Sequence, residues 1–460
     1  MSHLPLLRAL LLALCLPTLI AYGQDTRRDE VMPIEELQQL AYAFALIKAD
    51  YVSVESSKKL VEAAISGMAT SLDPHSRYLD RTALAQQTEE LTGNFVGVGI
   101  EAEDADGVIR VISAIEGSPA FRAGIQPRDV IVSVNGVAIG AMTLNQLARQ
   151  IRGVVNTSVT LSITRAGVGM PMRFTLVRQA VKVDSIKSRI VAPGVAWVRI
   201  TGFQERTVPD LVATLKELNH AAPRPSALIL DLRSDPGGLV AGAVGVAAAF
   251  LPKDSVVVSI KGRMPGWNRT LTASPAFYGT NDGIDVLATS PGFAKTVPMV
   301  VLIDAGSASA AEIVAAALQD HHRATLIGVR SFGKGSIQEI RPLSRDTGIS
   351  LTVARYYTPS GQSIQARGIT PDIASAAVPG AQDATREADL ENHLPRAGVE
   401  APASVVAPAT RSPKSPAATG TTTPASSPPE FGSAADTALA QAIRHLQASA
   451  KVATRAIGSP

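Results

Sequence analysis

The chain has 460 residues, 46% of them hydrophobic, with 43 lysines and arginines against 40 aspartates and glutamates for a formal charge of +3. That length accommodates two folded modules with extensions. The near-neutral charge and 4% aromatic content exclude a basic, base-stacking nucleic-acid surface, and the single cysteine, Cys15, excludes a disulfide framework and a multi-cysteine metal site.

In chain order, residues 1–23 read as a secretory signal peptide. Arg8 precedes an apolar stretch over 9–14, and Ala21-Tyr22-Gly23 supplies small residues for cleavage. The apolar run is shorter than the roughly 20 residues a membrane span needs. The mature protein then starts at Gln24, carries +2 without Arg8, has no thiol, and works in the periplasm or another extracytoplasmic space without ATP. Apolar residues at helical spacing (Leu37, Leu40, Phe44, Ile47, Tyr51, then Leu60, Ala64, Met68) predict a helical segment over 24–85 that closes at the turn Leu72-Asp73-Pro74-His75-Ser76.

Residues 86–178 form a glycine-rich region with strands predicted over 108–112, 130–134 and 159–165 and one helix over 144–151. Within it, Gly97-Val98-Gly99-Ile100 resembles the carboxylate loop of a PDZ domain. There, successive N–H groups face a peptide's terminal carboxylate and an open strand edge pairs with the peptide. Gly117-Ser118-Pro119-Ala120, Ala123-Gly124-Ile125, Asp129-Val130-Ile131 and Val134-Asn135-Gly136 follow at the spacing of bacterial PDZ domains. Arg128 stands where such domains usually carry glycine.

Residues 179–377 alternate strands (195–200, 227–232, 299–303) with helices (208–218, 310–318), the pattern of an α/β core. From 378 to 432 the composition turns to Pro, Ala, Ser and Thr, predicting a disordered linker. A final amphipathic helix within 433–460 carries a stripe of Leu439, Ile443, Leu446 and Ala450, suited either to self-association or to packing on its own chain.

Chemistry concentrates at two places in the core. Ser309 follows a small-residue turn between a buried strand and a helix, where it either exposes a nucleophilic hydroxyl at the helix N-terminus or caps the helix. No histidine stands in a motif with an orienting partner, so a Ser-His-Asp triad is poorly supported. Lys334, in Phe332-Gly333-Lys334-Gly335, is the alternative base. It serves near neutral pH if burial lowers its pKa by roughly 3 units. A strand starting at Lys334 places Gln338 on the same face.

At these positions the chain resembles the carboxyl-terminal processing peptidases. The likeness covers about residues 34 to 375 and runs through Asp231-Leu232-Arg233-Ser234-Asp235-Pro236-Gly237-Gly238, Gly306 to Ile313, Phe332 to Gln338, Ala354 to Gly361 and Gly368 to Ile373. It implies a multidomain α/β and α+β protein: a PDZ domain inserted before a crotonase-like α/β protease core, with helical N- and C-terminal extensions. It further implies Ser309 as nucleophile, Lys334 as general base, Gln338 as its orienting partner, and an oxyanion hole from Ala310, Gly237 and Gly238. Gly97, Val98, Gly99 and Ile100 would bind the peptide. Arg165 resembles a family arginine linking the PDZ domain to the active site, against the plainer reading of a solvated strand end. Glu312 reads as structural, pairing with a basic group. Departures from the family are Ala311 for a second serine and Ser234-Asp235 for two asparagines.

The resemblance implies a serine endopeptidase acting on extracytoplasmic proteins with flexible C-terminal tails, cell-wall hydrolases among the candidates. It implies no cofactor and no metal, an activating adaptor protein as a further partner, and a homo-oligomer. The competing readings are a catalytically silent PDZ scaffold of the envelope and a crotonase-fold acyl-transfer enzyme acting on coenzyme A esters.

Overall fold

The computed structural model describes residues 33–105, 108–115, 117–140, 142–182, 184–279, 283–375, 385–396, 431–433 and 435–457. The expected signal peptide and most of the expected linker lie outside them. The chain divides into two units, residues 1–64 and 65–460. In the first, the helix Ile34–Asp50 buries none of its residues and leaves Leu37, Leu40 and Ile47 exposed; a second helix, Ser57–Thr70, starts within the same unit. No helix among the described residues is long and apolar enough to cross a membrane.

The second unit is built on a six-stranded sheet in the order Ile186–Ala192, Val195–Ile200, Ala227–Asp231, Met299–Ile303, Thr325–Gly328, Ile373–Ala374, parallel except for the first pair. Every residue of the strands Val195–Ile200, Ala227–Asp231 and Met299–Ile303 is buried, as a parallel sheet covered on both faces requires. Period-two alternation sorts their side chains. Val198, Leu230 and Val301 face the helices Thr207–His220, Val240–Phe250 and Ala310–Asp320, whereas Trp197, Ile229 and Leu302 face Leu439, Ala442 and Leu446 of the C-terminal helix Thr437–Ile457. The stripe on that last helix therefore packs on its own chain.

A second, five-stranded sheet joins Arg77–Leu79, Gly348–Tyr357, Val256–Gly262 and Arg269–Thr272, with Ser336–Pro342 also paired to Gly348–Tyr357. The PDZ region has its own core around Val98, Ile131, Leu147, Leu161 and Ile163 and its own six-stranded sheet. Its helix Leu144–Ile151 starts at a reciprocal capping box between Thr143 and Gln146. Entry strand Asn94–Gly97 and exit strand Gln179–Lys182 pair antiparallel, so the module leaves and rejoins the core at one place. Arg128 takes the glycine-like conformation its position demands, with φ of 71°.

The C-terminal helix is anchored by charge as well as by its stripe. Asp436 accepts from the amides of Gly432 and Leu439 and binds Arg233 through both oxygens, at 2.8 and 2.6 Å. Arg233 also grips Asp231, and the Phe431 ring lies under the guanidinium groups of both Arg199 and Arg233. Burial alone would raise the Asp436 carboxyl, but Arg233 and the two amides outweigh it and hold the group below the usual carboxylate range. A carboxyl whose pKa is depressed on folding stabilises above its unfolded pKa and loses that contribution as pH falls through the folded value. Asp436→Asn is expected to cost about 3 kcal/mol at pH 7, with the gap to wild type closing as pH falls below the ordinary carboxylate range. Urea unfolding at both pH values measures it.

Candidate active site

Ser309 sits where the buried strand Met299–Ile303 ends and the helix Ala310–Asp320 begins. The turn between them is pinned by Asp304, which accepts from the amides of Ser234 and Gly306, and by Ser307, whose hydroxyl donates to the Leu232 carbonyl. Ser309 itself has φ of 53° and ψ of −113°, a conformation few L-residues adopt and one that must be held by its surroundings. The holder is Glu312. Its Oε2 accepts the amides of Ser309 and Lys334, both at 2.9 Å, while Oε1 accepts the amide of Gly333 at 2.7 Å and the Ser331 hydroxyl at 2.5 Å.

Glu312 thus pairs with three backbone amides and a hydroxyl, not with the basic group expected from the sequence. It is wholly buried, and burial pushes its carboxyl up to about 7 even against these four donors.

A cleft of ≈ 660 Å³ brings Ser309, Lys334, Gln338, Gly237, Gly238 and Tyr356 to one surface, and among the described residues no histidine lines it. Burial pulls the Lys334 ammonium below the ordinary lysine range, helped by the Arg77 charge and opposed by the carboxylates of Glu387, Asp73 and Glu312. Gln338 arrives by a different route from the one its spacing predicts. The strand is Ser336–Pro342, starting two residues after Lys334, and a register shift between Ile337 and Gln338 breaks the simple alternation. The Gln338 amide nitrogen donates to the hydroxyls of Ser336 and Thr352, both at 3.0 Å. Thr352 in turn donates to the buried Asp73.

The expected oxyanion-hole groups converge, with one qualification of roles. A Cβ on Gly237 would lie 2.8 Å from the Ala308 carbonyl oxygen, the Ala310 nitrogen and the Ser309 Cβ, so the glycine turn rests directly on the backbone around Ser309. The Gly237 amide, however, donates to Asp235 Oδ1 at 2.8 Å. The Gly238 and Ala310 amides have no such bond among the described residues, and these two are the free donors.

Sequence reading overlooked several residues of this site. Tyr356 is buried, with its phenol in hydrogen-bonding reach of the Ser309 hydroxyl; burial raises its pKa above the ordinary tyrosine value. Asp73 and His75 look like turn residues in the sequence. His75 Nε2 meets Glu387 Oε2 at 2.7 Å, Glu387 accepts from Gln365, and Gln365 accepts the amide of Gly335 beside Lys334. No local spacing links positions so far apart.

The peptide-reading residues assemble separately. A groove of ≈ 300 Å³ is lined by Gly99, Ile100, Ile115, Leu147 and Arg152 between the strand Ile100–Ala105 and the helix Leu144–Ile151. Gly97 closes the entry strand, Val98 buries its side chain, and Gly99 has φ of 77°; a Cβ there would overlap Ser118, so only glycine fits. Arg165 is held inside the module by both oxygens of Asp129 at 2.7 Å and by the Gly124 carbonyl. The structure does not bring it to the cleft.

Residues 194–375 match the family model described as Peptidase family S41, residues 110–165 a PDZ domain, and residues 20–83 the activating protease CtpB N-terminal domain. The chain is 40% identical over 359 residues to a carboxy-terminal-processing protease of Bartonella bacilliformis, covering 77% of this chain and 79% of that one. It is 34% identical to the carboxy-terminal processing protease CtpA of Bacillus subtilis, covering 74% and 68%, and 32% identical to CtpB of the same organism, covering 76% and 69%.

Glu312→Gln keeps the size of the side chain but turns one acceptor into an NH₂ group facing amide donors. The expected loss is about 2–4 kcal/mol of stability, together with activity, because the Ser309 and Lys334 backbones lose their common anchor. Thermal unfolding and peptidase assays on the same preparation check it.

Proposed function

Because the chain belongs to the carboxy-terminal processing proteases of peptidase family S41, it is a peptide hydrolase with a PDZ domain, and we propose that it is a serine endopeptidase using Ser309 and Lys334 on extracytoplasmic proteins with exposed C-terminal tails. The observation that carries this reading is the shared cleft: a strained serine and a half-buried lysine whose backbone amides are bound to one carboxylate oxygen.

In the proposed reaction the neutral Lys334 amine takes the Ser309 proton as Oγ attacks the scissile carbonyl carbon. The oxyanion so formed lies against the Gly238 and Ala310 amides. Collapse breaks the C–N bond, the leaving amine receives the proton from Lys334, and an acyl-enzyme remains on Ser309. Water then gives one proton to Lys334 and its oxygen to the acyl carbon; collapse breaks the C–Oγ bond, Lys334 returns the proton to Ser309 Oγ, and the new C-terminus leaves. Gln338 orients the amine without adding charge. The groove at Gly99 and Ile100 would recruit the tail by adding it to the strand edge.

An export signal over 1–23 would place this work outside the cytoplasm. The exposed leucines of Ile34–Asp50 would serve self-association, and the match of residues 20–83 fits an N-terminal segment through which an activating partner acts.

Cleavage of an unfolded protein with an apolar C-terminal tail, followed by mass spectrometry, is expected to disappear in Ser309→Ala and in Lys334→Ala, falling by at least a factor of about 10³. Equal cleavage by wild type and both variants would remove the pair. With wild type, kcat is expected to rise with pH to a midpoint well below the ordinary lysine value of about 10.4, since only the neutral amine acts as base. For self-association, light scattering should show Leu37→Glu with Leu40→Glu shifting a wild-type oligomer toward smaller species.

A further inference from the structure

The turn that presents Gly237 and Gly238 contains a carboxyl group the catalytic scheme does not use. Asp235 is fully buried. Its Oδ1 accepts the Gly237 amide at 2.8 Å, and its backbone carbonyl accepts the amide of Ala308, the residue before the nucleophile, at 2.9 Å. Its Oδ2 has no hydrogen-bond partner among the described residues.

Two charged groups face it from neighbouring elements. Arg199, on the strand Val195–Ile200, attracts the ionised form but is already engaged by Asp231 at 3.3 Å and stacked on Phe431. Asp304, before the nucleophile turn, repels it and is itself bound to the Ser234 amide and hydroxyl. Burial is the larger influence and pushes the Asp235 carboxyl up to about 8, so the group is neutral at pH 7. As a neutral acid it still accepts the Gly237 amide and leaves no bare charge beside the cleft. Once ionised, it sets an unpaired negative charge in the turn on which an oxyanion must form, and two negative charges held close in low dielectric oppose each other.

We propose that Asp235 is a positioning residue that holds the Gly237–Gly238 turn in its working shape as the neutral acid, and that its ionisation switches the peptidase off in alkaline solution. The proposal rests on Ser309 being the nucleophile. Asp235 does not touch the reacting atoms; it acts through the turn. The affected quantity is kcat, because the oxyanion contacts are made in the transition state and not with bound substrate.

The test is the pH profile of kcat for wild type, Asp235→Asn and Asp235→Ala, with Ser309→Ala as reference and near-UV circular dichroism over the same range. In wild type the rise that follows Lys334 deprotonation is expected to be cut back as Asp235 loses its own proton. Asp235→Asn keeps an acceptor for Gly237 and cannot ionise, so the cut-back should vanish, leaving the variant about tenfold or more faster than wild type at one and a half pH units above its midpoint. Asp235→Ala should be slow throughout, with KM little changed. The same cut-back in Asp235→Asn overturns the proposal, as does a wild-type cut-back that tracks loss of the dichroism signal. Residual activity in Ser309→Ala would overturn the underlying nucleophile instead.

Discussion

Everything at this site depends on one buried carboxylate. Glu312 lies three residues into the helix that follows Ser309, so it reaches back to the serine's own amide as the reciprocal arm of a capping box. The same group accepts the amides of Gly333 and Lys334. Residues 329–335 carry no regular secondary structure, and their N–H groups need partners once buried. Glu312 takes two of them, those of Gly333 and Lys334, and in doing so fixes the Lys334 backbone relative to the Ser309 backbone. Burying an acid is costly, and here the cost is offset by four donors.

The loop 231–238 is the second point of control. At its start Asp231 accepts from Trp197, Arg199 and Arg233, and Arg233 extends to Asp436, joining the C-terminal helix to the end of the interior strand Ala227–Asp231. At its end, Gly237 lies against Ser309 and the Asp235 carbonyl accepts the Ala308 amide. A tail element far along the chain is thus fastened to the same short loop that rests on Ser309. The sheet explains why: its strands are buried on both faces, and the C-terminal helix covers the face left open by the three core helices.

The PDZ module has a separate core and a paired entry and exit. Its arginine at position 165 is consumed by Asp129 and the Gly124 carbonyl within the module.

The sequence by itself determined the strands and helices of the core and the PDZ-like module, and it singled out Ser309 and Lys334, which the structure brings to one cleft. These are written in local patterns: apolar periodicity, glycines where φ must be positive, a serine at a strand-to-helix turn. Tertiary structure alone decided the rest. Whether the last helix packs inward depends on which sheet face lies uncovered, a matter of topology and not of its stripe. The partner of Glu312 could not be read as backbone, because amides carry no residue identity. The Gln338 register turned on a bulge that no alternation reveals. Asp73 and His75 reach their partners only because residues hundreds of positions apart fold against each other, and hydrogen bonds across that separation leave no spacing to recognise.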